Sequence, residues 1–314
     1  MRSLAGMSES GSFTSLVRGA WLALLLLVAG CAQLPSCPAL PVETTVPVGM
    51  GTELDRLTAT EEERHPGESG FRLVSDGPEG FAIRVRAARI AGRSIDVQTY
   101  IWNGDTTGLA LAYVLLEAAD RGVKVRLLVD DMDARAKNYG LSALDAHPNI
   151  EVRMFNPLPS RSGTMAFIGD FLGDAKRLNH RMHNKTWIAD NRIAVVGGRN
   201  LGDEYFGADA EVNFVDLDFA MIGPVVRDAS ASFDRYWNSE VAFPMTLLSP
   251  EDVNAESLEK LRGKLAAAME EAGFEHVSDC GWEWDGMHQF FRLFWHPEER
   301  AVAAVCLCEQ SDVA

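Results

Sequence analysis

Cysteine is nearly missing from the body of this 314-residue chain: Cys31 and Cys37 lie near its start, Cys280, Cys306 and Cys308 near its end, and none between. No disulfide framework and no cysteine zinc site can hold the middle together. Cys306 and Cys308 lack the two intervening residues usual for a metal pair and read as exposed thiols. Positive charge is scarce too, with 29 Lys and Arg against 45 Asp and Glu, a net charge of -16 and a pI near 4.9. That balance excludes a broad basic surface, so nucleic acid is not favoured as a partner. An anionic substrate must instead meet a local positive field. A long apolar run is the third absence. WLALLLLVAG, residues 21–30, falls well short of the roughly 20 residues that cross a bilayer.

What is present is enough apolar side chain, 47% of residues, to bury a core. The short run follows Arg2 and Arg18 and reads as a secretory signal. Val28, Ala29 and Gly30 ahead of Cys31 resemble a bacterial lipobox, which implies lipidation of Cys31 and an N-terminal lipid anchor in the membrane. Ala32, where Asp would hold the protein at the inner membrane, points to a bacterial envelope protein on the outer membrane, facing the periplasm.

Residues 32–70, rich in Pro, Thr, Glu and Gly, read as a tether, with folding expected from Phe71 or Phe81. Beyond it, RSIDVQTYIW reads as a strand, TTGLALAYVLLEAADRG as an amphipathic helix, VKVRLLVDD as a strand, SALDAHP as a short helix and NIEVRMF as a strand. That alternation predicts an α/β fold with a mixed, largely parallel sheet flanked by helices. A long loop at 156–178 precedes an apolar hairpin, and EVNFVDLDFAMIG reads as a later strand. Residues 251–314 divide into one helix and a tail past Gly273. The tail's abrupt aromatic and cysteine content suggests a frameshift or truncation scar, which sequencing the locus tests, or a segment docking on a partner.

Chemistry concentrates in HRMHNKTWIADNRIAVVGGRN, residues 180–200. Asp190 and Asn191 are good turn residues, so His183 and Lys185, two apart on an extended strand, point the same way. An imidazole nitrogen can attack phosphorus while an ammonium neutralises its oxygens. Gly197 and Gly198 could let backbone amides approach an oxyanion, and Asn200 could donate another hydrogen bond. Asp190 sits too far along the ribbon to orient His183 and is assigned to hydrogen bonds that hold the hairpin. Lys176, Arg177, Arg181, Arg192 and Arg199 crowd the same stretch, and Asp190 is the one acid between 175 and 200. The sequence thus predicts a focused positive site on an acidic protein. His180 and His183, three apart on a strand, face opposite ways, so no metal is expected. Gln98, Tyr100 and Trp102 share a face that could line the pocket or belong to the core.

The spacing His183-x-Lys185-x4-Asp190-x6-Gly197-Gly198-x-Asn200 resembles the catalytic motif of the phospholipase D superfamily. The flanking SIDVQTYIW, RGVKVRLLVDD, GGRNLGDEYF and FDRYW resemble its bacterial cardiolipin synthase-like branch. The likeness spans about residues 60–250 and makes 71–250 a phospholipase D half-domain. It implies a phospholipid substrate and a phosphohistidine mechanism needing no metal or other cofactor. In it His183, Lys185 and Asp190 form the catalytic motif, and Lys185, Gly197, Gly198 and Asn200 bind phosphate. Asp216, with Asp218 as its substitute, would orient the histidine. Gly198 stands where many members carry serine. The family site joins two such motifs, and this chain has one. A homodimer or further sequence would have to complete it; the alternatives are a single-motif homodimeric nuclease or phosphodiesterase and an inactive envelope protein.

Overall fold

The computed structural model describes residues 34–134, 138–159, 177 and 179–272. Residues 36–157 and 181–314 gather into one compact unit, and residues 1–35 and 158–180 into another. All that follows concerns the first. The leader with Cys31, most of the 156–178 loop and the tail past 272 lie outside the described residues.

The expected tether is not one: its centre is helix α1, Glu53–Arg64. Thr52 accepts from the Asp55 amide while the Asp55 carboxylate accepts from the Thr52 amide, a reciprocal cap that supplies two unpaired donors of the first turn. Upstream, the Thr45 amide donates to Asp234 at 2.8 Å and its hydroxyl to Asp96 at 3.3 Å, which stitches this segment to the body. The remaining elements in order are β1 (Gly70–Val74), α2 (Gly77–Ile90), β2 (Ser94–Thr99), α3 (Thr106–Asp120), β3 (Lys124–Asp130), α4 (Asp131–Ala134), α5 (Asn138–Asp145) and β4 (Ile150–Phe155). They continue as β5 (Lys185–Ala189), β6 (Ile193–Gly197), α6 (Asp203–Phe206), β7 (Asp218–Ile222), α7 (Pro224–Trp237), β8 (Ala242–Pro244), α8 (Met245–Leu248) and α9 (Ala255–Glu271).

The eight strands form one mixed sheet, ordered β1-β7-β6-β5-β2-β3-β4-β8. The parallel run is β2-β3-β4, built by the strand–helix–strand alternation read from the sequence; the other neighbours pair antiparallel. Helices α2, α3, α5 and α9 cover one face, over Val97, Leu127 and Trp187. Helix α7 covers part of the other, placing Phe233 and Trp237 against Leu128, Ile188 and Met221. The predicted strand 211–223 is regular only from Asp218, and the stretch before it is an exposed irregular segment.

The β5–β6 hairpin turns through Asp190 and Asn191 at φ of 53° and 56°, a left-handed pair closed by the Arg192 amide donating to the Ala189 carbonyl at 2.9 Å. Its register sets Lys185 opposite Gly197 at one end and Ala189 opposite Ile193 at the other. The end bearing Lys185 thereby lies beside the carboxyl ends of β2 and β3, where open α/β sheets leave a crevice for ligands.

Candidate active site

His183 stands just ahead of β5 in extended chain, with its imidazole exposed and packed at a 58° tilt against the half-buried Tyr100, 4.9 Å between ring centres. Lys185 opens the strand. Its Nζ donates to the His183 carbonyl at 2.9 Å and lies 5.3 Å from the centre of the same Tyr100 ring. The side chain is 3% exposed, and burial lowers its pKa to about 8 although Asp216 and Asp130 favour the charged form. Imidazole and ammonium thus each lie against the same aromatic ring. Of the three residues offered for the pocket wall, Tyr100 serves; Trp102 turns into the core and donates to the Gly108 carbonyl at 3.0 Å.

The segment carrying His183 is held by a residue the sequence reading missed. Asp130, wholly buried at the end of β3, accepts from the Met182 amide at 2.8 Å and from Arg181 Nε at 3.1 Å. Arg181 Nη2 donates onward to the Phe155 and Asn156 carbonyls at 3.0 and 2.7 Å. One carboxylate and one guanidinium thus bolt the residues before His183 to the ends of β3 and β4. An acid at the carboxyl end of a parallel strand was the available signal.

Asn200 fixes the loop that follows β2. Its Oδ1 accepts from the Ile101 amide at 3.0 Å, which sets the loop bearing Tyr100 and leaves the side-chain NH2 as the donating end. Gly197 and Gly198 serve closeness rather than an amide nest. A Cβ on Gly198 would lie 1.8 Å from Asp216 Oδ1, and one on Gly197 would lie 2.1 Å from Asp218 Oδ1. The Gly198 amide is itself spent on the Leu217 carbonyl at 3.0 Å, so these glycines are not the predicted phosphate cradle. Serine at 198 would need the Asp216 carboxylate to move, which accounts for glycine here.

Residues 85–237 match the family described as "Cardiolipin synthase, PLD-like domain". Among curated proteins, Cardiolipin synthase C of Escherichia coli (strain K12) is 45% identical over 199 residues, covering 62% of this chain and 41% of that protein. The chain belongs to the phospholipase D superfamily. An uncharacterized protein of Helicobacter pylori (strain ATCC 700392 / 26695) is 38% identical over 223 residues, covering 70% of this chain and 44% of that protein. The chain thus spans less than half the length of these two relatives. Among solved structures, NucT from Helicobacter pylori has a TM-score of 0.40 at 16% identity, covering 56% of this chain and 99% of that one.

Within this phospholipase D-like unit several motif residues have other employment. Asp190 lies roughly 20 Å from His183 along the ribbon. Its buried carboxylate accepts from the amides of Gly92, Arg93 and Ser94 at 3.0, 2.7 and 3.0 Å. It therefore docks the turn onto the start of β2 and does not reach the chemistry. Asp218, offered as the substitute orienting acid, is fully buried between Arg84 at 3.0 Å and Arg199 at 3.3 Å. It cannot turn to the histidine without stranding both cations. Asp216 remains: it lies against Gly198 and close enough to Lys185 to favour its charge, and its Oδ1 accepts from the Leu217 amide at 2.9 Å. Among the described residues no hydrogen bond joins it to His183.

The focused positive field predicted from residues 175–200 is also corrected. Arg181 is committed to Asp130, Arg199 to Asp218, and Arg192, at the far end of the hairpin, to Asp55 at 2.8 Å and Glu62 at 2.9 Å. Lys185 is the described cation beside the imidazole; Lys176 lies outside the described residues. Charge counting along the chain overstated the field because the cancelling carboxylates come from elsewhere in sequence.

Proposed function

We propose that this chain is a phosphatidyltransferase of the cardiolipin synthase kind, acting on phospholipid phosphodiesters through a phosphohistidine on His183. One observation carries the reading: an exposed imidazole beside a partly desolvated ammonium, with the Asn200 NH2 directed by its bonded oxygen. The imidazole nitrogen attacks phosphorus, a P–N bond forms, and the P–O bond to the leaving alcohol breaks. Lys185 and Asn200 hold the non-bridging oxygens as charge grows on them. A second alcohol, or water, then attacks phosphorus and returns the imidazole. Asp216 is assigned to steadying the histidine in its charged states.

The leaving alcohol needs a proton, and a general acid contributes about 10²- to 10⁴-fold in rate. No other histidine of the chain is followed by lysine at the motif's spacing, so the reading assigns that acid to a second motif-bearing unit, from another copy or from further sequence. An uncovered apolar sheet face supports it. Phe71 pairs across to Met221, Leu73 to Phe219 and Phe219 to Val196, while Phe71, Leu73, Leu217 and Phe219 are exposed beside Asp216. Apolar side chains gathered on one face mark an interface. The same reading places the protein on the periplasmic side of the envelope, held by a lipid on Cys31.

Purified full chain given phosphatidylglycerol vesicles should release glycerol and form cardiolipin with a chelator present. His183→Ala should lower that rate by on the order of 10³ or more. Hydrolysis of DNA without any lipid turnover would replace the reading with a nuclease. Inactivity on both, at concentrations where sizing shows a dimer, would leave a non-catalytic protein.

A further inference from the structure

Tyr100 touches both groups of the proposed chemistry, and neither apolar cluster of the described residues contains it. Its backbone lies in a braced loop. The Thr99 hydroxyl donates to the Ile101 carbonyl at 2.8 Å, the Ile101 amide to Asn200 Oδ1 at 3.0 Å, and the Leu201 amide to the Ile101 carbonyl at 3.1 Å. Beyond it Trp102 is sunk in the core and bridges to Leu201, whose carbonyl accepts from the Asn103 amide at 2.7 Å. Bonds to its neighbours therefore fix where the half-buried ring stands.

The ring makes two contacts of different kinds. The Lys185 ammonium lies over its face, 5.3 Å from the centroid and inside the roughly 6 Å within which an aromatic quadrupole attracts a cation. The His183 ring packs against it at 4.9 Å and a 58° tilt, inside the roughly 4.5–7 Å of favourable aromatic pairs. Resting on the proposed function, we infer that Tyr100 is a positioning residue of the reaction: its ring holds Lys185 as the ammonium that meets phosphate and fixes the angle from which the His183 nitrogen attacks. Lys185 has need of such a neighbour. Burial disfavours its charge, its described hydrogen bond goes to a neutral carbonyl, and the acids that face it, Asp216 ahead of β7 and Asp130 at the end of β3, offset the burial only in part. The remaining titratable neighbour is the His183 imidazole on its own segment. A further carboxylate would compete with phosphate for the ammonium. An aromatic face attracts the cation without a net charge of its own.

The test compares full-length wild type with Tyr100→Leu and Tyr100→Met, which keep apolar bulk without a ring, and with Tyr100→Phe, which restores one. In the ring-free variants kcat on phosphatidylglycerol vesicles should fall by about tenfold or more, and Tyr100→Phe should recover most of that loss. The alkaline limb of kcat/KM should move down by about one pH unit in the ring-free variants and return in Tyr100→Phe, a shift that a merely structural role would not give. The same shift should appear without substrate, in the titration of the Lys185 side chain followed by NMR on isotope-labelled protein and assigned by its loss in Lys185→Arg. A limb and a titration unmoved in both ring-free variants, or a loss as deep in Tyr100→Phe as in Tyr100→Leu, would overturn the inference. The NMR shift, in a wild type that turns over no phosphodiester, would uphold the contact of ring and ammonium and overturn the reaction on which its role rests.

Discussion

The two ends of the β5–β6 hairpin carry similar residue types and opposite fates. At the turn, Asp190 holds three backbone amides, Arg192 is shared among Asp55, Glu62 and the Gly49 carbonyl, and Asn191 accepts from Ser230. At the open end His183 is exposed, Lys185 donates to a single described acceptor, and the described bond of Asn200 is made by its oxygen, which accepts from the Ile101 amide. Saturation is what separates them. Polar groups whose bonds are all spent hold the chain, and those kept in place with bonds unspent can meet a substrate.

Substitution at each end should therefore move a different observable. His183→Ala sets the upper limit: turnover of phosphatidylglycerol falls by on the order of 10³ or more, and Tm moves by no more than about one degree, since an exposed ring contributes little to stability. Asp190→Ala should do the converse, lowering unfolding free energy by about 3 kcal/mol through three stranded amides while kcat of the folded fraction stays within about twofold. A collapse of kcat with Tm unchanged in Asp190→Ala would break the comparison. Asp130→Asn mixes the two effects, because its carboxylate positions the segment ahead of His183. A loss of about 2 kcal/mol and a tens-fold fall in kcat are expected together, by denaturant melts and steady-state rates.

Lys185 sharpens the contrast through pH. Burial lowers its pKa to about 8, so the cation assigned to phosphate in the proposed function is present below that pH and lost above it. kcat/KM should fall as pH rises through about 8, while in kcat, where bound phosphate stabilises the cation, the fall should come at higher pH. Lys185→Arg should remove the limb from both profiles. The smallest effect is a control away from both ends. Burial raises Asp145 to about 6, so its folded carboxyl holds a proton more tightly than the unfolded one. The stability this adds is complete below the unfolded pKa and lost as pH rises through about 6. Asp145→Asn keeps an acceptor for the Val152 amide and should be about 1 kcal/mol more stable than wild type above pH 6, converging near pH 4, with turnover unaffected.

The hairpin, its turn residues and the meeting of His183 with Lys185 were legible because all follow from neighbours in sequence: two-residue periodicity and a left-handed turn. Asp130 was not, since the first of the two acids ending VKVRLLVDD carries no local mark of the loop it will clamp. Helix α1 hid behind a polar composition that is itself a consequence of exposure, for only Leu54, Asp55 and Thr58 are buried; the Thr52 to Asp55 cap was its overlooked sign. The roles of Gly197 and Gly198 depended on Asp216 and Asp218, some twenty residues on, packing where side chains would stand.

The most direct measurement is capture of the covalent intermediate. Full-length protein mixed with phosphatidylglycerol, quenched in denaturant at alkaline pH where phosphohistidine survives, and digested, should yield a phosphatidyl adduct on the peptide containing His183. The adduct should vanish in His183→Ala and persist in Asp190→Ala. Turnover without an adduct at His183, or an adduct undiminished by its replacement, would contradict the account.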